Sequence, residues 1–177
     1  MPLTRMRHRL FQRLCSLTLA CGLGLGLSGM SAQACSYDGM ALDLSLAHPA
    51  SLGVALAAQQ AYQDKLMPRP LPLPGGFGMR RTLGMLEKLQ QRLPTGSPSF
   101  SLLLVEPGLW SNFTADGVRL HADPDAGERL VILSEGALLA LEGGRLPAAK
   151  AMQSGLLVID GPDADALAKL WLSAYPG

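Results

Sequence analysis

Side chains able to take up a proton, attack a substrate or ligate a metal are scarce in this chain. It has three His and three Cys among 177 residues, and only His48, His121 and Cys35 lie beyond residue 34. A Ser-His-Asp hydrolase needs a histidine base held against a nucleophile. His48 stands before Pro49 at the start of a helical pattern, where a histidine caps the helix or faces water. His121 follows Arg119 on the expected polar face of a strand. Neither is accompanied by a positioned nucleophile, and no Gly-x-Ser-x-Gly elbow occurs. His121-x-Asp123-x-Asp125 with Glu128 is the cluster that most resembles a metal site, because loop carboxylates two apart bind calcium. Pro124 interrupts it, and a solvated hairpin turn accounts for the same residues. Glu106, Glu135 and Glu142 fall at element ends with no pairing suited to acid–base work. No Walker pattern, Cys-x-x-Cys or haem-attachment motif is present. Asn112-Phe113-Thr114 is a glycosylation sequon, meaningful only in a eukaryotic secretory route. These residues predict a protein that is not an enzyme and that carries no cofactor.

The N-terminus changes both the charge and the thiol count. Arg5, Arg7, Arg9 and Arg13 precede an apolar run from Leu14 to Leu27, followed by Ala32-Gln33-Ala34. A basic start, a short apolar stretch and Ala-x-Ala make a secretory signal peptide cut after Ala34. The uncharged stretch 14–37 is nominally long enough to remain as a membrane anchor, though four glycines weaken it as a helix. Cys35 as a lipidated residue is a third option, with Ala32 and Gln33 poorly suited to the upstream motif. The whole chain has 15 basic and 14 acidic residues, a net charge of +1. Removing the leader removes four arginines and no acid, which leaves 11 against 14, or −3. That balance argues against nucleic acid and anionic membrane surfaces as partners. Membrane contact is expected only through an uncleaved leader. The chain looks bacterial, so the expected location is the periplasm or the exterior. One thiol remains, so no internal disulfide forms. Cys35 is a weak candidate for metal or redox work through its amine and thiolate, or for pairing with another chain.

With 48% hydrophobic and 16% charged residues, the composition is opposite to that of a disordered chain. Residues 35–66 form an extension containing a helix, with Leu52, Ala55, Leu56, Gln59, Tyr62 and Leu66 at three- and four-residue steps. Residues 67–78 are a Pro/Gly-rich linker. Alternating prolines at 68, 70, 72 and 74 force an extended spacer. Residues 79–177 form the main domain. Thr82 caps a helix to about Arg92 bearing Leu83, Leu86, Leu89 and Leu93. Four strands follow, near 100–105, 109–114, 118–122 and 129–133, with turn sequences at 106–108, 115–117 and 123–127. They are expected to make an antiparallel meander. Ser134 caps a Leu-rich helix that stops at Gly143-Gly144. Pro147 starts a short helix closed by Gly155. Leu156–Ile159 is a strand, and Gly161-Pro162-Asp163 opens a final helix with Leu167, Leu170, Trp171 and Ala174. A helical crossover to a last strand suggests parallel placement there. The expected class is α+β: a mixed, mainly antiparallel five-stranded sheet covered by helices.

Residues 137–161, ALLALEGGRLPAAKAMQSGLLVIDG, resemble the sterol-carrier-protein-2-like (SCP2-like) family. The matching positions are Leu138, Leu139, Gly144, Arg145, Leu146, Pro147, Ala151, Gly155, Leu156, Val158, Ile159 and Gly161. The order of elements agrees over about 82–177. The resemblance implies an α/β domain with an apolar tunnel for lipid-like ligands. The family often has basic residues on this strand where Leu157 is apolar, and the leader and the 35–78 extension are unlike intracellular members. Cys35-Ser36-Tyr37-Asp38 is similar to the start of secreted proteobacterial proteins, which implies no activity. The expected function is a periplasmic binding or accessory protein holding a lipid or isoprenoid. Candidate pocket walls are Leu102, Leu104, Trp110, Phe113, Leu133, Leu138, Leu156, Leu167 and Trp171. The alternatives are a solid-cored structural or assembly partner of an envelope or redox complex, and a metal or redox accessory using Cys35.

Overall fold

A computed structural model describes residues 48–74 and 76–177. The leader, its cleavage site and Cys35 lie outside the described residues. Helix α1 spans Ser51–Gln63 and α2 spans Phe77–Arg92. The strands are β1 (Phe100–Leu104), β2 (Leu109–Thr114), β3 (Gly117–Leu120) and β4 (Leu130–Leu133). Helices α3 (Glu135–Glu142) and α4 (Ala148–Gln153), strand β5 (Leu157–Asp160) and helix α5 (Ala164–Ala174) complete the order.

The five strands make one sheet in the order β3-β2-β1-β4-β5. The sheet is mixed and mostly antiparallel, as expected, but its parallel pair is elsewhere. The meander stops at β3, and β4 lies parallel to β1, with Ser101 beside Leu130 and Leu104 beside Leu133. The turn-rich stretch 121–129 is therefore a crossover rather than a hairpin. It is long enough to carry the chain past two strands, whereas Ala115-Asp116 is too short for anything but a hairpin. Strand β5 is antiparallel to β4, which corrects the parallel placement expected for it. Leu157 pairs with Leu133, and Leu156 C=O accepts from Ser134 N–H. The α3–α4 excursion thus returns to the sheet end where it began, which forces the reversal.

Local signals explain the helix ends. Ser134 Oγ accepts from Ala137 N–H at 3.0 Å and caps α3. Gly144 (φ +66°) and Gly155 (φ +71°) stop α3 and α4 in the left-handed region. Helix α2 starts six residues earlier than expected, with Gly76 at its N-cap. Thr82 is not its cap but is buried inside it, with Oγ1 donating to the Gly78 carbonyl. The hydroxyl's local bond back along the helix removes the cost of burying it.

The sheet has two different faces. Phe100, Leu102 and Leu104 point into a large layer formed with α2, α3 and α5, where Phe100 stacks on Phe113 at 4.7 Å and meets the edge of Trp171 at 6.5 Å. Leu103, Val105, Trp110 and Ile132 point the other way, against Val54 of α1. The face α1 buries is Ser51, Val54, Ala58 and Ala61, not the Leu52–Leu56–Leu66 stripe expected from periodicity. Small side chains let the helix lie close to the sheet, and the leucines are left outside. His48 Nδ1 accepts from Ala50 N–H, and its Nε2 reaches Asp160 Oδ2 at 3.2 Å, tying the start of α1 to β5.

The Pro-rich stretch is held at several points. Met67 is buried in the main core. Arg69 donates to Gln59 Oε1 and lies over the Tyr62 ring, and Leu71 C=O accepts from Arg81 Nη1 at 2.8 Å.

Candidate functional site

Eight of the nine candidate wall residues lie in the large inner layer: Leu102, Leu104, Phe113, Leu133, Leu138, Leu156, Leu167 and Trp171. Trp110 is on the opposite face with Val54, Leu103, Val105 and Ile132. Side chains alternate along β2, so Leu109, Ser111 and Phe113 share the inner face while Trp110 and Asn112 take the outer one. Among the described residues, Trp171 Nε1 and Ser111 Oγ are polar atoms buried in this layer with no hydrogen-bond partner in the protein. Buried polar groups are nearly always paired, so an indole N–H and a hydroxyl left over among leucines mark where a polar atom could be received. Ser111 did not stand out in the sequence; a lone hydroxyl between Leu109 and Phe113 was its one signal.

The outer face carries a polar cluster. Ser101 Oγ donates to Glu128 Oε2 at 2.6 Å, and Asn112 Nδ2 donates to Glu128 Oε1 at 3.0 Å. Asp125 N–H donates to the same carboxylate. Glu128 is therefore turned onto the sheet, away from an arrangement with His121, Asp123 and Asp125. Among the described residues, no group of three or more His, Cys, Asp or Glu side chains is placed to hold a metal ion. Asn112 is nearly buried, so its sequon is not offered to solvent in the folded chain.

The carboxylates at element ends are closer together than their sequence positions suggested. Because β1 and β4 run parallel, Glu106 after β1 meets the start of α3. Glu106 Oε2 accepts from Glu135 N–H at 2.7 Å, and its Oε1 accepts from Tyr62 Oη at 3.0 Å. The Tyr62 ring lies against Gly136, where a Cβ would collide with its hydroxyl. Glu135, 3% exposed, pairs with Arg81 at 2.7 Å. One polar network thus joins α1, the Pro-rich stretch, α2, β1 and α3. A second joins the last residues to the same layer: Tyr175 Oη donates to Glu142, Arg92 pairs with Glu142 at 3.3 Å, and Arg92 lies over the Tyr175 ring. Burial pushes both phenols well above the usual tyrosine range, and their carboxylate partners push the same way.

Burial also raises the Glu106 carboxyl, against the lowering effect of its hydrogen bonds. A carboxyl raised on folding stabilises fully below its unfolded value of 4.5 and loses that contribution as pH climbs through the folded value. Replacing Glu106 by Gln is expected to preserve both contacts, with Oε1 accepting from Glu135 N–H and Nε2 donating to Tyr62 Oη. Urea unfolding at pH 7.5 and pH 5 provides the check. Wild type should gain stability on acidification relative to Glu106→Gln, and the variant should be no less stable at pH 7.5. A variant weaker at both pH values would show that the carboxylate charge is favoured at this helix start.

No family model matches the sequence, and no curated protein matches it significantly. Solved structures do. The chain is similar to the crystal structure of Sterol Carrier Protein 2 Like 2 from Aedes aegypti, at 20% identity and a TM-score of 0.43, over 53% of this chain and 97% of that one. It is also similar to a solution structure of palmitated SCP2L2 from Aedes aegypti, at 19% identity and a TM-score of 0.39, over 52% of this chain and 90% of that one. Residues 137–161 form most of α3, the Gly144-to-Pro147 turn, α4 and β5. Gly161 closes the segment at φ +94°, where a Cβ would collide with the Glu128 carbonyl.

Proposed function

We propose that this is a non-enzymatic periplasmic binding protein whose inner layer takes a lipid- or isoprenoid-like ligand. The observation that carries the reading is the pair of unpartnered polar atoms, Trp171 Nε1 and Ser111 Oγ, within an otherwise apolar layer. An amphipathic ligand presents a matching chemistry: a long apolar body and one small polar head. The 137–161 pattern supports it independently. The polar networks around Glu106 and Glu142 bind one protein element to another, which favours a structural role for them over acid–base chemistry.

The test is mass spectrometry of the protein as isolated from its periplasm, followed by titration of the delipidated protein with palmitate and farnesol. Co-purified lipid and saturable binding are expected, and Trp171→Phe should weaken palmitate binding by about tenfold through loss of one donor to a charged group. A protein that holds no lipid and binds neither probe would overturn the reading. It would leave an assembly domain with a solid core.

A further inference from the structure

A net charge of −3 for residues 35–177 conceals an uneven surface. Across residues 48–86 the sequence has one acid, Asp64, against Lys65, Arg69, Arg80 and Arg81. Asp64 is already engaged, since Gln60 Nε2 donates to both its oxygens. Arg81 is engaged by Glu135 and Leu71. Lys65, Arg69 and Arg80 are exposed, and among the described residues no carboxylate pairs with them. The same stretch has six of the seven large hydrophobic side chains exposed among the described residues: Leu52, Leu56, Leu66, Leu71, Leu73 and Phe77. Leu71 is 72% exposed and Phe77 62%.

Contacts already described bring these residues onto adjoining surface. Arg69 bonds Gln59, which is three residues from Leu56 on α1. Arg81 fastens Leu71 to the first turns of α2, whose first residue is Phe77 and whose Arg80 lies over the Phe77 ring at 5.7 Å. Cationic heads are thus set beside exposed apolar groups on a strip that is tethered in place.

We propose that this surface, the outer stripe of α1 with the Pro-rich strip and the start of α2, docks the protein on an anionic lipid bilayer. The backbone argues against a protein groove. Prolines at 68, 70, 72 and 74 remove the N–H groups from one edge of the strip, and Arg81 already occupies the Leu71 carbonyl on the other, so the strip is not free to extend a partner's sheet. Their two-residue spacing also lacks the Pro-x-x-Pro repeat that aromatic grooves read. Apolar side chains for the acyl boundary and unpaired cations for the headgroups are what interfacial binding uses. The proposal stands apart from the ligand reading, because neither Trp171 nor Ser111 takes part.

Phe77→Trp in the full chain gives a local reporter, since Trp110 and Trp171 are buried. With vesicles of phosphatidylethanolamine and brominated phosphatidylglycerol, its emission should shift blue and be quenched. The effect should be absent with phosphatidylcholine and weaken in about 0.5 M salt, where charges are screened within a few ångströms. Adding Leu71→Glu should lower apparent vesicle affinity by about tenfold. Leu172→Trp, at the seventh exposed site, should be unquenched; this separates docking here from attachment through residues 1–34. Unchanged Phe77→Trp emission, equal quenching at position 172, or equal binding to phosphatidylcholine would overturn the proposal. Self-association abolished by Leu71→Glu without vesicle binding would do the same and would assign the surface to a second copy.

Discussion

Replacing Arg81 by Met is expected to cost about 3–5 kcal/mol of stability, because it removes the guanidinium held against a buried carboxylate. Glu135 is 3% exposed, and Arg81 reaches its Oε1 with both Nε and Nη2, at 3.2 and 2.7 Å. The Glu106 carboxylate accepts from the backbone N–H of Glu135, and burial raises the Glu106 carboxyl, with repulsion from Glu135 adding to it. Methionine preserves the aliphatic stem and isolates the effect of charge. The double variant Arg81→Met/Glu135→Gln should recover much of the loss, since neither buried charge then remains. Urea unfolding of the four proteins closes the cycle. A double variant no better than Arg81→Met would mean that the loss comes instead from releasing Leu71 and the Pro-rich strip.

That network also shows where sequence reading stops. Ser134, Gly144, Pro147 and Gly155 each act within a few residues, and the elements they bound are where local rules place them. The α+β class and the mixed sheet follow from those elements. The pairing of β4 with β1 depends on where a nine-residue connection, 121–129, carries the chain, and its Asp-Pro-Asp-Ala-Gly reads locally as a hairpin. Misplacing β4 hides the meeting of Glu106 and Glu135, because only a parallel β1/β4 pair sets their ends side by side.

The same limit applies to faces. The period of α1 supports two stripes, one rich in leucine and one in alanine. Hydrophobicity favours the first, and close approach to a flat sheet favours the second. Trp110 and Phe113 cannot line the same pocket, because they fall on opposite faces in the alternation of β2. Leu102, Leu104 and Leu133 are less sensitive to phase, because a step to Leu103 or Ile132 still meets a buried aliphatic side chain.

Trp171→Ala is expected to destabilise by about 3–5 kcal/mol, the range for truncating a large core aromatic. Trp171 is fully buried, edge-on to Phe100 and tilted against Tyr175 at 5.7 Å, so its removal leaves two rings with a bare side. Trp171→Phe should cost less than about 2 kcal/mol, because it preserves an aromatic at the junction and deletes a buried donor that has no partner. That contrast bears on function. If the indole N–H received nothing in the working protein, Phe would be the better residue for packing. If it receives a ligand's polar head, ligand at a hundredfold excess over Kd raises wild-type stability by about 2.7 kcal/mol. The gain should shrink in Trp171→Phe as the affinity falls. Urea unfolding with and without palmitate measures both terms on one protein. Wild type and Trp171→Phe gaining equally would place the ligand's polar end elsewhere in the layer, with Ser111 the remaining buried group to receive it.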